Sequence, residues 1–386
     1  MNVLLSSCTH WWNAEAHYAA NLAEELLGHG HQAWVLTQPG TRHAEQLQRR
    51  GLPLITDLPL WQGNPLRWPS LLGGLRTLQR RLALDVVDVF RSREFFLHVL
   101  AARCPGGPAV VRTRGSARPV RRHAVNRWLY GRGCQAVVTS AQVLRQQLLD
   151  GLGLPPQGVR TIYFPAPPPL ASSAEALTQR RRAARERLLA ETGWDAPRLL
   201  LAIVGRAFPE KGHATLLEAL ALAQPRLPPW GLVILDKRYE DEAPYRHALE
   251  RRGAELGLQA QVRWLGFRDD LPLLLEGADW GVIPSLASEL NCRVAVEFFA
   301  AGTPVLAFPT GALPEVVQHG TTGLVAEERS AASLAGLLEQ AAAQPALQAI
   351  LGLAAWSAAG GRFSRARFLH ETLEVFQQAL AARPRR

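Results

Sequence analysis

Residues 199–220 read LLLAIVGRAFPEKGHATLLEAL. The run Leu199–Gly205 is unbroken apolar chain closing on glycine, as expected of a strand buried on both faces. A helix is expected from about His213. Between the two lies GRAFPEKG, which puts Arg206 and Lys211 in one loop ahead of a helix N-terminus. Two cations and a set of free backbone amides make an anion site suited to a diphosphate. The order G-x-x-x-x-G-K-[ST] is missing, so this is not a Walker loop. The plainer alternative is a solvated loop with two surface charges.

Further on, WGVIPS (280–285) has the same strand character, and SLASELNCRVAVEFFAAGTPVLAF follows from Ser285. Glu289 and Glu297 stand eight positions apart, with a helix expected from near Asn291 or Cys292. The amides of 291–294 would then face a bound phosphate. Glu289, just ahead of the helix, can reach ligand hydroxyls. A carboxylate at Glu297 can accept from both hydroxyls of a ribose. Capping and surface exposure would explain an ordinary glutamate pair, but Glu297 sits in an apolar helix where an unpaired charge is costly.

The same alternation of short apolar runs and helical patterns extends in both directions. NVLLSS, QAWVLT, VVDVF, AVVRT and AVVTS read as strands of the first half, with a helix over about 14–28 closed by Gly30. GLVILD, VRWLGF and PVLAF join LLLAIVG and WGVIPS in the second. YFPAPPPLA (163–171) is a proline-rich break, and a basic helix follows over 179–191. This is an α/β chain with two doubly wound parallel sheets. The divisions are 1–165, a linker at 166–178, 179–360, and a final helical segment at 361–386. Ligands of such sheets bind outside the carboxyl ends of the strands.

At 47% hydrophobic and 20% charged, the 386 residues can build two cores and are not a disordered chain. Cys8, Cys104, Cys134 and Cys292 lie far apart, without the spacing of a zinc site or a disulfide framework. The N-terminus resembles no signal peptide and no run is long enough to span a membrane, so the expected compartment is the cytoplasm. The formal charge of +10 is uneven: residues 1–165 hold 19 basic and 9 acidic side chains, and the rest balances. Arg112, Arg114, Arg118, Arg121, Arg122 and Arg127 crowd one stretch, yet no nucleic-acid recognition motif or interleaved aromatics accompany them. An anionic membrane surface suits them better, each contributing roughly 1 kcal/mol. The segment 58–82, with Trp61, Trp68, Arg67, Arg76, Arg80 and Arg81, reads equally as an interfacial element or as a packed amphipathic helix.

GRAFPEKG, VRWLGFRDDLPLLLEGADWGVIPS, the two glutamates with AAGTPVLAF, and GALPEVVQHGTTGLV together resemble the donor domain of family 4 glycosyltransferases. NAEAHYAANLAEELLGHGHQAWVLT and the segments from 86, 110 and 136 are similar to that family's first half. The resemblance implies a GT-B architecture, two Rossmann-like domains facing a central cleft, and retaining transfer of a sugar from a nucleotide-sugar donor of UDP, GDP or ADP type. It implies that Arg206 and Lys211 grip the diphosphate and that Glu297 holds the ribose. Glu289 would touch the sugar, Gly205 and the stretch Asn291, Cys292, Arg293 and Val294 would line the phosphates, and Phe267 within 265–268 would line the base. Acceptor binding falls to the first domain, at Asn13, Ser92, Arg93, Arg114, Gly115 and Arg118. No metal or other cofactor is expected. The acceptor would be a lipid-linked or cell-surface glycan, such as lipopolysaccharide, met at the inner face of the cell membrane. This chain differs from the family pattern at Asn13–Ala14 and Leu290–Asn291, and after GLVILD, where glycines are usual, and at Arg114–Ser116, where a histidine is usual. A non-catalytic scaffold that binds nucleotide sugars or glycans, or a nucleotide-sugar epimerase of similar fold, are the competing functions.

Overall fold

The computed structural model describes residues 1–61, 64–195, 198–236 and 243–383. The chain divides into two compact units, one of Met1–Pro165 with Arg365–Arg386 and one of Ala166–Ser364.

In the first unit, the described strands are β1 (Asn2–Ser6), β2 (Gln32–Leu36), β3 (Leu54–Ile55), β4 (Val86–Val89), β5 (Ala109–Arg114), β6 (Ala136–Thr139) and β7 (Val159–Thr161). They form one parallel sheet in the order β3-β2-β1-β4-β5-β6-β7. Val86–Val89 and Ala109–Arg114 are buried along their whole length, as inner strands covered on both faces must be. The order reverses between β1 and β4, so the loops leaving their carboxyl ends diverge and open a crevice there. The first helix, Ala14–Gly28, starts where Asn13 Oδ1 accepts from the Ala16 amide at 3.0 Å. It buries Ala19, Leu22, Ala23 and Leu26, one stripe at helical spacing.

The helix Arg365–Ala381 belongs to this first unit. Phe368 packs edge-on against Tyr18 at 4.9 Å, and Arg365 pairs with Glu24 at 3.1 Å and Glu25 at 3.3 Å. Its unit begins at Arg365 and not at the expected 361, because Phe363 still packs on Phe299 of the second unit. The segment 58–82 is resolved in favour of packing at its helix, Trp68–Arg81, which buries Leu71, Leu75 and Leu78 against the helix Ser92–Ala101. Leu66 stays exposed, while Trp68 leans on Phe96.

In the second unit, β8 (Leu199–Val204), β9 (Trp230–Leu235), β10 (Val262–Trp264), β11 (Trp280–Ile283), β12 (Val305–Ala307) and β13 (Gly323–Val325) form a second parallel sheet. The order is β10-β9-β8-β11-β12-β13, and it reverses between β8 and β11. The basic helix is longer than expected, Ala174–Thr192, because Ser173 Oγ caps it by accepting from Ala176 at 3.2 Å. The extended segment therefore ends at Ser173, five residues before the expected limit of the linker. Its arginines serve the core: Arg180 makes two 2.9 Å bonds to Glu276, Arg185 bonds Asp279 at 2.7 Å, and Arg181 donates to the Ala278 and Ala301 carbonyls. Among the described residues no helix is long and apolar enough to cross a membrane.

Candidate active site

The stretch quoted first, 199–220, supplies one wall of a site at the switch point of the second sheet. After β8 the chain turns through Pro209–Lys211 to Gly212, which stands at φ +73° ahead of the helix His213–Ala223. A Cβ on Gly212 would fall 1.9 Å from the Pro284 carbonyl oxygen. Only glycine lets this loop lie against the loop that leaves β11. The Leu286 amide then donates to the Glu210 carbonyl at 2.8 Å, joining the two loops by backbone.

Across that seam Lys211 Nζ forms a close ion pair with Glu289 Oε1, which also accepts from Ser285 Oγ at 2.9 Å. Glu289 is fixed by its backbone too. Its carbonyl accepts from the Ala312 amide at 2.6 Å, and Gly311, at φ +59°, passes so close that a Cβ would lie 2.3 Å from that oxygen. The Thr310 hydroxyl donates to the Ser285 carbonyl at 2.5 Å.

The next helix is Arg293–Ala300, one residue short of the expected start, because Cys292 takes a left-handed conformation at φ 46° and caps it. Burial pushes the Cys292 thiol well up, so it is an inert packing group. Arg293 Nη1 donates to Glu297 Oε1 at 2.8 Å. Glu297 Oε2 is buried with no hydrogen-bond partner among the described residues, and burial raises this carboxyl against the pull of Arg293. Arg206 is exposed, its guanidinium 5.3 Å from the Phe208 ring centre, and Phe267 is exposed as well. Behind the loop, His213 is buried and its imidazole pushed down to about 4 by burial and then by the Lys211 charge. It is a neutral ring stacked on Trp264 at 6.4 Å.

The structure thus brings Lys211 and Glu289 together, and Arg293 with Glu297 in the following helix. A cationic loop, a helix N-terminus and a carboxylate with one unused acceptor can hold a diphosphate and a diol. Ser285, Gly212 and Gly311 were not anticipated from the sequence. Their signals were the serine closing WGVIPS, the glycine before His213, and the Thr-Gly after PVLAF. The chain after Asp236, residues 237–242, lies outside the described residues.

In the first unit the expected residues are more dispersed. Asn13 caps its helix, Ser92 Oγ accepts from Arg112 at 3.3 Å, and Arg93 donates to the Trp61 carbonyl at 2.8 Å. Arg114 was expected to meet a ligand, but it is 5% exposed and donates to the Arg118 carbonyl, with burial pulling its guanidinium down. Gly115 is half-buried and Arg118 exposed. Arg112, not anticipated as a core group, is fully buried and donates to the Val89 and Thr113 carbonyls, both at 2.6 Å.

Two family models match. The one described as glycosyl transferases group 1 covers residues 184–355, and glycosyltransferase family 4 covers 16–165. The chain is 30% identical over 204 residues to the lipopolysaccharide core biosynthesis glycosyltransferase LpsE of Rhizobium meliloti, over 53% of this chain and 55% of that one. It spans about half the length of the curated relatives it matches. Among solved structures, a glycosyltransferase from Rickettsia africae aligns over 99% of both chains with a TM-score of 0.85 at 17% identity. HepE of Anabaena, in complex with UDP, aligns over 98% of this chain and 100% of its own, with a TM-score of 0.80 at 19% identity. At these identities the likeness is one of fold, that of the GT-B glycosyltransferases. With both halves matched in order, this chain belongs to the group 1, family 4 glycosyltransferases.

Proposed function

We propose that this protein transfers a sugar from a nucleotide-sugar donor to a hydroxyl of a lipid-linked or cell-surface glycan, with retention of anomeric configuration. The observation that carries the reading is the meeting of Lys211 and Glu289 across the β8–β11 switch point, beside a helix N-terminus. Lys211 and Arg206 hold the donor's diphosphate, and their charge stabilises the nucleoside diphosphate as it departs. Donor phosphate then replaces Glu289 as the partner of Lys211, freeing the carboxylate to accept from hydroxyls of the transferred sugar. Glu297 Oε2 accepts from the ribose, the amides of 291–294 face the phosphates, and Phe267 borders the base. The acceptor hydroxyl attacks on the face from which the diphosphate leaves and gives its proton to the departing diphosphate oxygen as the old glycosidic bond breaks, so no protein nucleophile takes part.

HepE was solved with UDP and with UDP-glucose, which makes UDP-sugars the first donors to try. LpsE is named for lipopolysaccharide core biosynthesis, which supports a glycan of that class as acceptor. The basic first half supports work at an anionic membrane surface.

Calorimetry with UDP-, GDP- and ADP-sugars, followed by transfer assays, tests the reading. Lys211→Ala and Glu297→Ala are each expected to lower turnover by about 100-fold or more. Wild-type turnover in either variant overturns the site. Binding without turnover would make the protein a scaffold, and sugar interconversion without acceptor an epimerase.

A further inference from the structure

We infer that Phe208 is a positioning residue, its ring holding the Arg206 guanidinium ready for the diphosphate of the donor. The inference rests on the reading that this loop grips that diphosphate. Phe208 precedes Pro209, and a residue before proline is confined to extended backbone. It stands accordingly at φ −138° and ψ 143°. Its carbonyl accepts from the Lys211 amide at 2.9 Å, which fixes the chain just beyond the ring. In extended chain, residues two apart share a face. Ala207 is 2% exposed and packs into the core of the second sheet, so Arg206 and Phe208 on either side of it both turn outward. That alternation brings the Arg206 guanidinium over the Phe208 ring, 5.3 Å from its centre. At this distance a ring face attracts a cation.

The two cations of the loop are therefore held in different ways. Lys211 rests on the Glu289 carboxylate, which a phosphate must displace. The ring beside Arg206 is no hydrogen-bond acceptor of that kind. A phosphate can take N–H groups at the edge of the guanidinium while its face stays on the ring. An arginine that grips an anion gives up side-chain freedom, and a contact already made in the free protein removes part of that cost. Phe208 is 40% exposed, so it contributes little to the core, and a smaller side chain there leaves the packing in place. Its part in donor binding is to act through Arg206.

Calorimetry on the full chain tests this with UDP, GDP, ADP and inorganic pyrophosphate. For each probe that binds the wild type, Phe208→Leu should raise Kd about threefold, and Phe208→Trp should hold it within about twofold of wild type. Replacing Phe208 by pentafluorophenylalanine keeps the shape of the ring and reverses the charge of its face, so the loss should match that of leucine. In an Arg206→Gln background the cation is gone, and Phe208→Leu should change Kd by less than about 1.5-fold. Where that background binds too weakly to titrate, the fluorinated ring decides. A thermal midpoint near that of wild type confirms that each variant is folded. Wild-type Kd in both the leucine and the fluorinated proteins, tighter binding in Phe208→Leu, or an equal loss in the Arg206→Gln background overturns the role of Phe208 and leaves the donor site standing. A wild-type protein that binds none of the four probes overturns the donor site, and this inference with it.

Discussion

Glu94 is 1% exposed and sits beneath the loop that carries Trp11. Ser6 Oγ lies 2.6 Å from its Oε2 and the Cys8 amide donates to Oε1, while His98 Nε2 lies 2.9 Å from the same Ser6 hydroxyl. Burial pushes Glu94 up to about 7 and His98 down to about 3. Both groups are therefore neutral in mild acid: a carboxylic acid can donate to Ser6, which in turn donates to His98. A carboxyl raised in the fold contributes stability below its unfolded value near 4.5, and that contribution is lost as pH rises through about 7. Between pH 5.5 and 8 the loss for one such group is about 2 kcal/mol. Glutamine reproduces the protonated pattern, its amide donating to Ser6 and its oxygen accepting from Cys8. Urea unfolding of Glu94→Gln should therefore fall less than wild type over that pH range, by about this amount. Parallel pH profiles would show that Glu94 is ionised at no cost.

At the scale of elements, the candidate site is a seam between the loops after β8 and β11, and the seam depends on backbone approach. Gly212 and Gly320 share nearly the same left-handed φ, +73° and +72°, but a Cβ at Gly320 meets nothing within 4 Å. Gly320→Ala should cost only the conformational strain, about 1 kcal/mol, by urea denaturation. Gly212→Ala adds a collision with Pro284 and should cost about 3 kcal/mol. Equal costs would mean the seam yields freely. The charged residues Arg206, Lys211 and Glu289 of these loops, and Glu297 in the helix that follows, were legible in the sequence because long apolar strands precede them and fix where the loops begin. Legibility failed at β3, β7 and β13, which have two or three residues each and lie at sheet edges. An edge strand is covered less and paired on one side only, so it needs no long apolar run to announce it. Backbone contacts such as that of Gly311 with Glu289 are likewise silent in sequence, since they join residues by shape and not by type.

For the whole molecule, the return of the helix Arg365–Ala381 to the first unit redraws the charge map. That unit holds 24 basic and 11 acidic side chains, net +13, against 19 and 22 in the second, net −3. Several arginines of the second unit are already committed to carboxylates or carbonyls, as Arg180, Arg181 and Arg185 are. Those of the segment after β5 differ: Arg118, Arg121, Arg122 and Arg127 are exposed. If an anionic surface is where this protein works, these are the charges that meet it. A fragment ending at 165 is a poor probe, because it removes Phe368 from Tyr18 and takes away the helix whose Leu369, Val375 and Phe376 are buried in this unit. The full chain should sediment with phosphatidylglycerol vesicles at low salt and separate from them as salt screens the contact. Changing all four arginines to glutamate should remove roughly 4 kcal/mol of attraction, or about 1 kcal/mol per side chain, and abolish co-sedimentation. Donor affinity measured on the same protein should hold, because none of the four lies in the second unit. Vesicle binding that survives the four substitutions, or that ignores salt, would show that the basic surplus of the first unit serves something other than a membrane.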